Sequence, residues 1–186
     1  MFVFNQRSVA GILRMIRQVG ALVGAHERTE KLVAEFENNI AQAKANAAKF
    51  SRRPRVYFEE WYDPLISGIG WVSELIGIAG GDDVYPELGA EPAAKNRIIA
   101  DPAQVIPRNP DIILGSWCGR KFRPEKVVAR PGWEAMPAVR DAQVFEIKSP
   151  IILQPGPAAL SDGLFALQDI FTAWVERDQR ALAVPR

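Results

Sequence analysis

Histidine and cysteine are almost absent from this chain: 186 residues contain one of each, His26 and Cys118. A lone cysteine excludes a disulfide within the chain, and the two together cannot make the His/Cys cluster of a structural zinc site. Long apolar runs are missing too, since none approaches the roughly 18 residues that span a bilayer. One-sided charge is also lacking. Lys and Arg number 23 against 22 Asp and Glu, for a formal net charge of +1. That balance argues against nucleic acid as a partner, which calls for a basic face. The tight cluster Arg52, Arg53 and Arg55 precedes a strand and reads as a solvated edge. The opening residues Met1-Phe2-Val3-Phe4-Asn5 show no basic segment ahead of an apolar one, so they do not read as a secretory signal.

What is present is a globular composition, 48% hydrophobic, enough for one well-buried domain with an appendage. Phe2 to Phe4 reads as the end of a strand. Ser8 is a candidate N-cap for a helix carrying Ile12, Met15, Ile16, Val19, Leu22 and Val23 at helical spacing. Gly20 and Gly24 stop that helix near His26, where an imidazole suits the C-terminal end of the dipole. From Thr29 to Phe50, Leu32, Val33, Phe36, Ile40, Ala43, Ala47 and Phe50 form one apolar stripe, a helix about 33 Å long at 1.5 Å per residue. It is either a bundle helix or a spine leading to another domain; the pattern alone favours neither.

From Pro54 the chain turns α/β. Arg55–Glu59 reads as a strand, Glu60–Gly70 as a loop, Trp71–Ala79 as a helix ended by Gly80-Gly81. Asp101-Pro102 opens a short helix as N-cap and first helical residue. Asp111–Gly115 is an apolar strand of the kind buried on both faces. Pro124–Ala129 is a short helix, Val144–Ile147 a third strand, and Ala158–Glu176 a final helix with Leu160, Leu164, Leu167, Ile170, Phe171 and Trp174 facing in. The alternation predicts a parallel sheet covered by helices.

Ligands of open α/β sheets bind beyond the carboxyl ends of the strands. Three such ends are legible: Glu60–Pro64 continuing to Trp71, Ser116–Arg120, and Lys148–Pro157. Three of the five tryptophans and one of the three tyrosines fall there. Aromatics outside any periodic pattern suit a ligand face, or else they plug the sheet. Catalytic patterns are thin. Cys118 follows a strand, but nothing marks His26 as its base. Glu59 and Glu60 are adjacent on a strand and point to opposite faces. Ser67-Gly68-Ile69-Gly70 has neither dinucleotide nor P-loop spacing. Trp133, within Pro131-Gly132-Trp133, reads as an anchor on the core.

Taken in order, these segments resemble a known family. Arg55-Val56-Tyr57-Phe58-Glu59-Glu60-Trp61-Tyr62-Asp63-Pro64, Gly70-Trp71-Val72, Ala79-Gly80-Gly81 and Asn109-Pro110-Asp111-Ile112-Ile113 resemble the C-terminal lobe of cluster-type periplasmic substrate-binding proteins. Those proteins serve ABC importers of vitamin B12 and ferric siderophores. Trp117-Cys118-Gly119, Arg130-Pro131-Gly132-Trp133, Pro137-Ala138-Val139-Arg140 and Gln154-Pro155-Gly156-Pro157 resemble the branch labelled cobalamin-binding. The resemblance covers nearly all of residues 54–175. It implies half of a two-lobe fold: a parallel, Rossmann-like three-layer α/β lobe preceded by a long interdomain helix. Residues 1–28 would be a remnant of the N-terminal lobe, 29–52 the spine, and 53–186 the ligand-binding lobe, with a shortened chain as the consequence.

The resemblance further implies a cobalamin or ferric-siderophore ligand held by Glu60, Trp61, Tyr62, Trp71, Arg97, Trp117, Ile151 and Gln154. It implies no enzyme activity and no cofactor, a membrane permease as partner, and a periplasmic or cell-surface setting for a full-length homologue. Arg97 stands where a B12 binder carries a stacking tryptophan, which suits an anionic ligand. Ala103 stands where the family places a permease-docking glutamate, with Glu91 or Asp101 as substitutes. Helices left without their lobe expose apolar faces, so a homodimer through residues 2–50 is expected. The rival readings are an α/β scaffold module that binds no small molecule and an enzyme using Cys118.

Overall fold

The computed structural model describes residues 3–183. Two helices come first, α1 (Val9–Leu22) and α2 (His26–Ala47). Ser8 caps α1 by accepting from the Gly11 N–H at 3.0 Å. The helices are joined by a three-residue turn in which Gly24 takes φ +69°. The turn is tight because Gly20 lies against Thr29; a Cβ there would overlap the threonine side chain. Thr29, where the sequence reading starts this helix, is thus a packing residue inside α2. His26 opens α2 rather than closing α1, so its expected place at a helix C-terminus is corrected. The strand expected at Phe2–Phe4 is not found. Residue 2 lies outside the described residues, and Val3–Asn5 belong to no strand.

The α/β part contains β1 (Arg55–Tyr62), β2 (Leu65–Ser67), α3 (Gly70–Ala79), β3 (Asp82–Asp83), α4 (Pro86–Gly89), β4 (Ile98–Ile99) and β5 (Ile112–Gly115). It continues with α5 (Pro124–Val128), α6 (Pro137–Arg140), β6 (Val144–Glu146), α7 (Ser149–Ile152) and α8 (Leu164–Ala183). The sheet order is β4-β2-β1-β5-β6, with β3 beside the start of β1. β1, β3, β5 and β6 run parallel, in the register Val56–Ile112 and Ile113–Val144. The expected parallel sheet is found in these four strands, and at one side β2 is added to it, pairing antiparallel with both β1 and β4. The cause is local. Only Asp63-Pro64 separates β1 from β2, and so short a connection can only reverse the chain. The stretch read as a loop after Glu59 is therefore mostly a hairpin.

Side chains alternate across the sheet. Val56, Phe58, Ile112 and Leu114 enter the core formed with α1, α2, α3 and α8. Tyr57 and Ile113 enter a second core with Val105, Trp133 and Met136, so Trp133 anchors as expected. The faces of α3 and α8 are buried as the periodicity requires: Val72, Leu75 and Ile76 on one, Leu164, Leu167 and Phe171 on the other. Each such side chain contributes about 1.5–3 kcal/mol. Gly80 ends α3 in the left-handed region at φ +101°. A five-residue π-helical stretch, Ala159–Gly163, leads into α8, which runs seven residues past the expected end at Glu176.

Gly115 closes β5, and a methyl there would run into the Phe122 ring. Gly115→Ala is expected to cost about 1–3 kcal/mol through overpacking, read as a lower urea midpoint at unchanged slope. A wild-type midpoint would refute this packing. Asp83 supplies a pH test. Burial raises its carboxyl above the ordinary 3.8, against hydrogen bonding from Ser73 and the Tyr85 N–H. The folded state therefore holds this proton more tightly than the unfolded state. Its contribution is present below the ordinary value and is lost as pH rises through the raised one. Asp83→Asn cannot ionise, so its stability relative to wild type should grow between about pH 4 and pH 7. Urea midpoints that stay a constant distance apart over that range would overturn the assignment.

Candidate ligand-binding site

β1, β5 and β6 run parallel, so their carboxyl ends meet at one edge of the sheet. Glu59, near the end of β1, is 0% exposed. Its carboxylate is met on both sides. The Arg130 guanidinium donates to Oε2 at 2.6 Å and Oε1 at 3.0 Å, and the Trp117 indole N–H donates to Oε1 at 2.9 Å. Arg130 in turn lies over the Trp133 ring, 4.5 Å from its centroid. The Tyr57 phenol is on the same face. Burial, with the charge of Glu59, pushes its ionisation well above the ordinary tyrosine range.

This buried pair sets the angle of an aromatic shelf. Trp117 is only 3% exposed, with Phe122 edge-on at 5.0 Å and Tyr62 tilted by 34° at 4.4 Å between centroids. Trp61 continues the row, 5.2 Å from Tyr62, and its indole N–H is held by the Asp63 carbonyl at 2.9 Å. Tyr62 and Trp117, with Arg120, Lys121, Arg123 and Lys126, line a cavity of about 390 Å³. Arg120 donates to the Tyr62 hydroxyl at 3.3 Å, and the Lys126 ammonium sits 5.6 Å from the Tyr62 ring centroid.

The predicted site residues divide into groups. Trp61, Tyr62 and Trp117 come together on the shelf. Ile151 and Gln154 lie in and just after α7, beyond the end of β6 at the same edge. Glu60 and Arg97 meet each other: the guanidinium is 1% exposed and donates to Glu60 at 2.6 and 3.2 Å and to the Ser67 carbonyl. Arg97 as a free cation facing a cleft is therefore corrected. A buried guanidinium needs its charge met inside the protein, and Glu60 does so. Trp71 is likewise corrected. The helical period places it with Val72 and Leu75 on the core side of α3, and its indole donates to the Ile152 carbonyl at 2.9 Å.

The sequence offers Glu59 only as one of two adjacent carboxylates, and it does not mark Arg130, Arg120, Lys121 or Lys126 as site residues. An adjacent Glu59-Glu60 pair on a strand carries the signal for one buried carboxylate, since only one can face solvent. Asp101 serves as the expected N-cap, accepting from the Ala103 N–H at 2.8 Å. Glu91 accepts from Asn96 at 2.8 Å. Cys118 is exposed after β5. Among the described residues no group of three His, Cys, Asp or Glu could hold a metal ion, and no helix is long and apolar enough to cross a membrane.

The family model described as periplasmic binding protein matches residues 1–151. This chain belongs to that family. The family is one of binding proteins rather than enzymes. Among curated proteins none matches. Among solved structures, the apo periplasmic heme-binding protein of Roseiflexus sp. RS-1 shares 25% identity at TM-score 0.70, over 89% of this chain and 65% of its own. The periplasmic vitamin B12 binding protein of Vibrio cholerae shares 16% at TM-score 0.70, over 93% and 65%. An ABC-type Fe3+-hydroxamate transport protein from Saccharomonospora viridis DSM 43017 shares 20% at TM-score 0.71, over 88% and 56%. The chain thus spans about two-thirds of the length of the heme and B12 binders and less of the third. These likenesses confirm the α/β fold read from the sequence.

The Glu59–Arg130 pair can be tested by a double-mutant cycle. Glu59→Gln and Arg130→Gln are each expected to cost about 3–5 kcal/mol, because each strands its partner's buried charge. The double variant should cost less than the sum. Near-ultraviolet circular dichroism should report loosening of Trp117 in Glu59→Gln. Additive costs in urea unfolding would remove the pairing from the account.

Proposed function

We propose that this chain supplies the ligand-binding lobe and spine of a substrate-binding protein serving an ABC importer, and that its ligand is a metal chelate of the cobalamin or ferric-siderophore type. The observation that carries this is the shelf of Trp61, Tyr62 and Trp117 at the carboxyl edge of the sheet, backed by a buried ion pair, in a chain of this family. Rigid aromatic surface beside a small set of placed polar groups is what a large organic chelate requires. Ile151 would form a wall of the same site and Gln154 a polar contact, while Glu60 and Arg97 hold each other behind it. Structures similar to this chain include heme, B12 and Fe3+-hydroxamate proteins, so heme joins the ligands to be tested. Under this reading residues 53–186 are the ligand lobe, residues 29–52 the spine, and residues 1–28 belong to the opposite lobe. The mechanism is capture and handover to a permease at the membrane, outside the cytoplasm, with no covalent step.

The homodimer through residues 2–50 stays part of this proposal. It is supported by Leu22 and Val23, 65% and 70% exposed, beside an apolar groove of about 380 Å³ between α1 and α2 lined by Met15, Val19 and Leu32. Residue 2 lies outside the described residues.

Tryptophan fluorescence tests the ligand. Titration with cobalamin, hemin and a panel of ferric siderophores, on this chain and on a form extended upstream by the opposite lobe, should give saturable quenching by at least one of them. Tyr62→Ala should weaken that binding about tenfold, the scale of one aromatic contact. Silence from both forms toward the whole panel would favour the scaffold reading. Light scattering at high micromolar concentration tests the dimer, and a monomer there would refute it.

A further inference from the structure

Several arginines at the surface of this protein are met by carboxylates. Arg17 pairs with Glu30 and Glu37, Arg52 with Asp111 and Asp178, Arg53 with Asp82, and Arg108 with Glu87. Within the described residues, exposed arginines without a carboxylate occur elsewhere too, Arg7, Arg14 and Arg28 among them, but the cavity beside the aromatic shelf gathers cations in one place. Four cations line it, Arg120, Lys121, Arg123 and Lys126, and no carboxylate does. Only Arg123 has an acidic partner, Glu125 at 3.4 Å. Among the described residues, Arg120, Lys121 and Lys126 have no carboxylate within 4.0 Å. The acids at the end of β1 are already engaged, Glu59 by Arg130 and Glu60 by Arg97.

The consequence is a concave positive field in a chain of net charge +1. Like charges gathered around a cavity repel each other, whereas an anion entering between them is attracted by all. The aromatic neighbours sharpen the preference. Arg120 reaches the Tyr62 hydroxyl at 3.3 Å and lies 5.9 Å from the Trp61 ring centroid, and Lys126 lies 5.6 Å from that of Tyr62. Those contacts hold the cationic heads along the rim of the shelf. A body lying on Tyr62 would therefore present its periphery to Arg120, Lys121 and Lys126.

From this juxtaposition we infer that the site selects a multiply charged anion with a flat or apolar body, its carboxylates bound by Arg120, Lys121 and Lys126 while the body rests on the Tyr62–Trp117 shelf. The inference rests on the ligand-binding reading above and narrows it to anionic, carboxylate-bearing ligands. It also moves the anion-recognising role from Arg97, which is spent on Glu60, to the loop after β5 and the helix α5.

The test uses two flat probes with the same core and opposite charge, meso-tetra(carboxyphenyl)porphyrin and meso-tetra(N-methylpyridyl)porphyrin, followed by tryptophan quenching on the intact chain. The carboxylate probe should bind at least about tenfold tighter than the cationic one, with affinity falling steeply as salt screens the charges. Arg120→Glu/Lys126→Glu should lose about tenfold or more for the carboxylate probe at an unchanged urea midpoint, since neither residue makes an ion pair. Lys44→Glu, on the exposed face of α2, should bind as wild type does and so exclude general attraction to lysines. Equal affinity for both probes, no binding of the carboxylate probe, or no effect of the Arg120/Lys126 reversal would each overturn the inference. If a neutral ferric chelate binds well and ignores that reversal, the transport reading stands and the anion preference falls. If the carboxylate probe behaves as expected but no metal chelate binds, the anion site stands and the transport reading falls.

Discussion

A carboxylate wholly removed from water is costly unless its charge is met where it sits. Glu59 meets that condition with a guanidinium on two oxygens and an indole N–H on one. Much of the carboxyl edge of the sheet follows from this. The strand β1 must deliver Glu59 to the sheet edge, and the loop after β5 must bring Trp117 to it. The segment around Arg130 must fold back across a sequence separation of 71 residues, and that around Trp117 across 58. Tyr62 then has a fixed ring to lean on. One ion pair joins the second core, the end of the sheet and the shelf.

A second pair works beside the first with the opposite effect on the surface. Glu60 points the other way along the strand and binds Arg97. Two neighbouring acids thus consume two arginines, one on each face of β1. The loop cations are left over. The electrostatic character of the shelf is set less by which cations are present than by where the acids have been used.

Much of this was legible in the sequence, and the boundary of what was legible has a physical reason. Apolar periodicity carried the helices: the stripe from Leu32 to Phe50 and the inward residues of α8 are where the spacing puts them. Continuous apolar runs carried β5 and most of β1. Pairing was less legible. β2 is three residues long, too short to show a period, and only its neighbours make it a strand. Burial of aromatics was ambiguous for a similar reason. Trp71 and Trp61 both flank a glycine-rich loop, yet the first lies on the inner side of a helix and the second on the tip of a hairpin. Long-range charge pairing was not legible at all, because nothing in local spacing joins Arg97 to Glu60 or Arg130 to Glu59.

The division between floor and rim bears on how such a site can change over generations. Glu59, Arg130 and Trp117 are tied to the core, so replacing any of them disturbs folding. Arg120, Lys121 and Lys126 are exposed and hold no ion pair, so the fold places little demand on their identity. Variation can therefore explore the rim almost without cost in stability, and new ligand preferences can arise there while the floor beneath keeps its shape. Under the proposed binding role, a lineage built on this arrangement can diversify what it captures through a handful of surface codons.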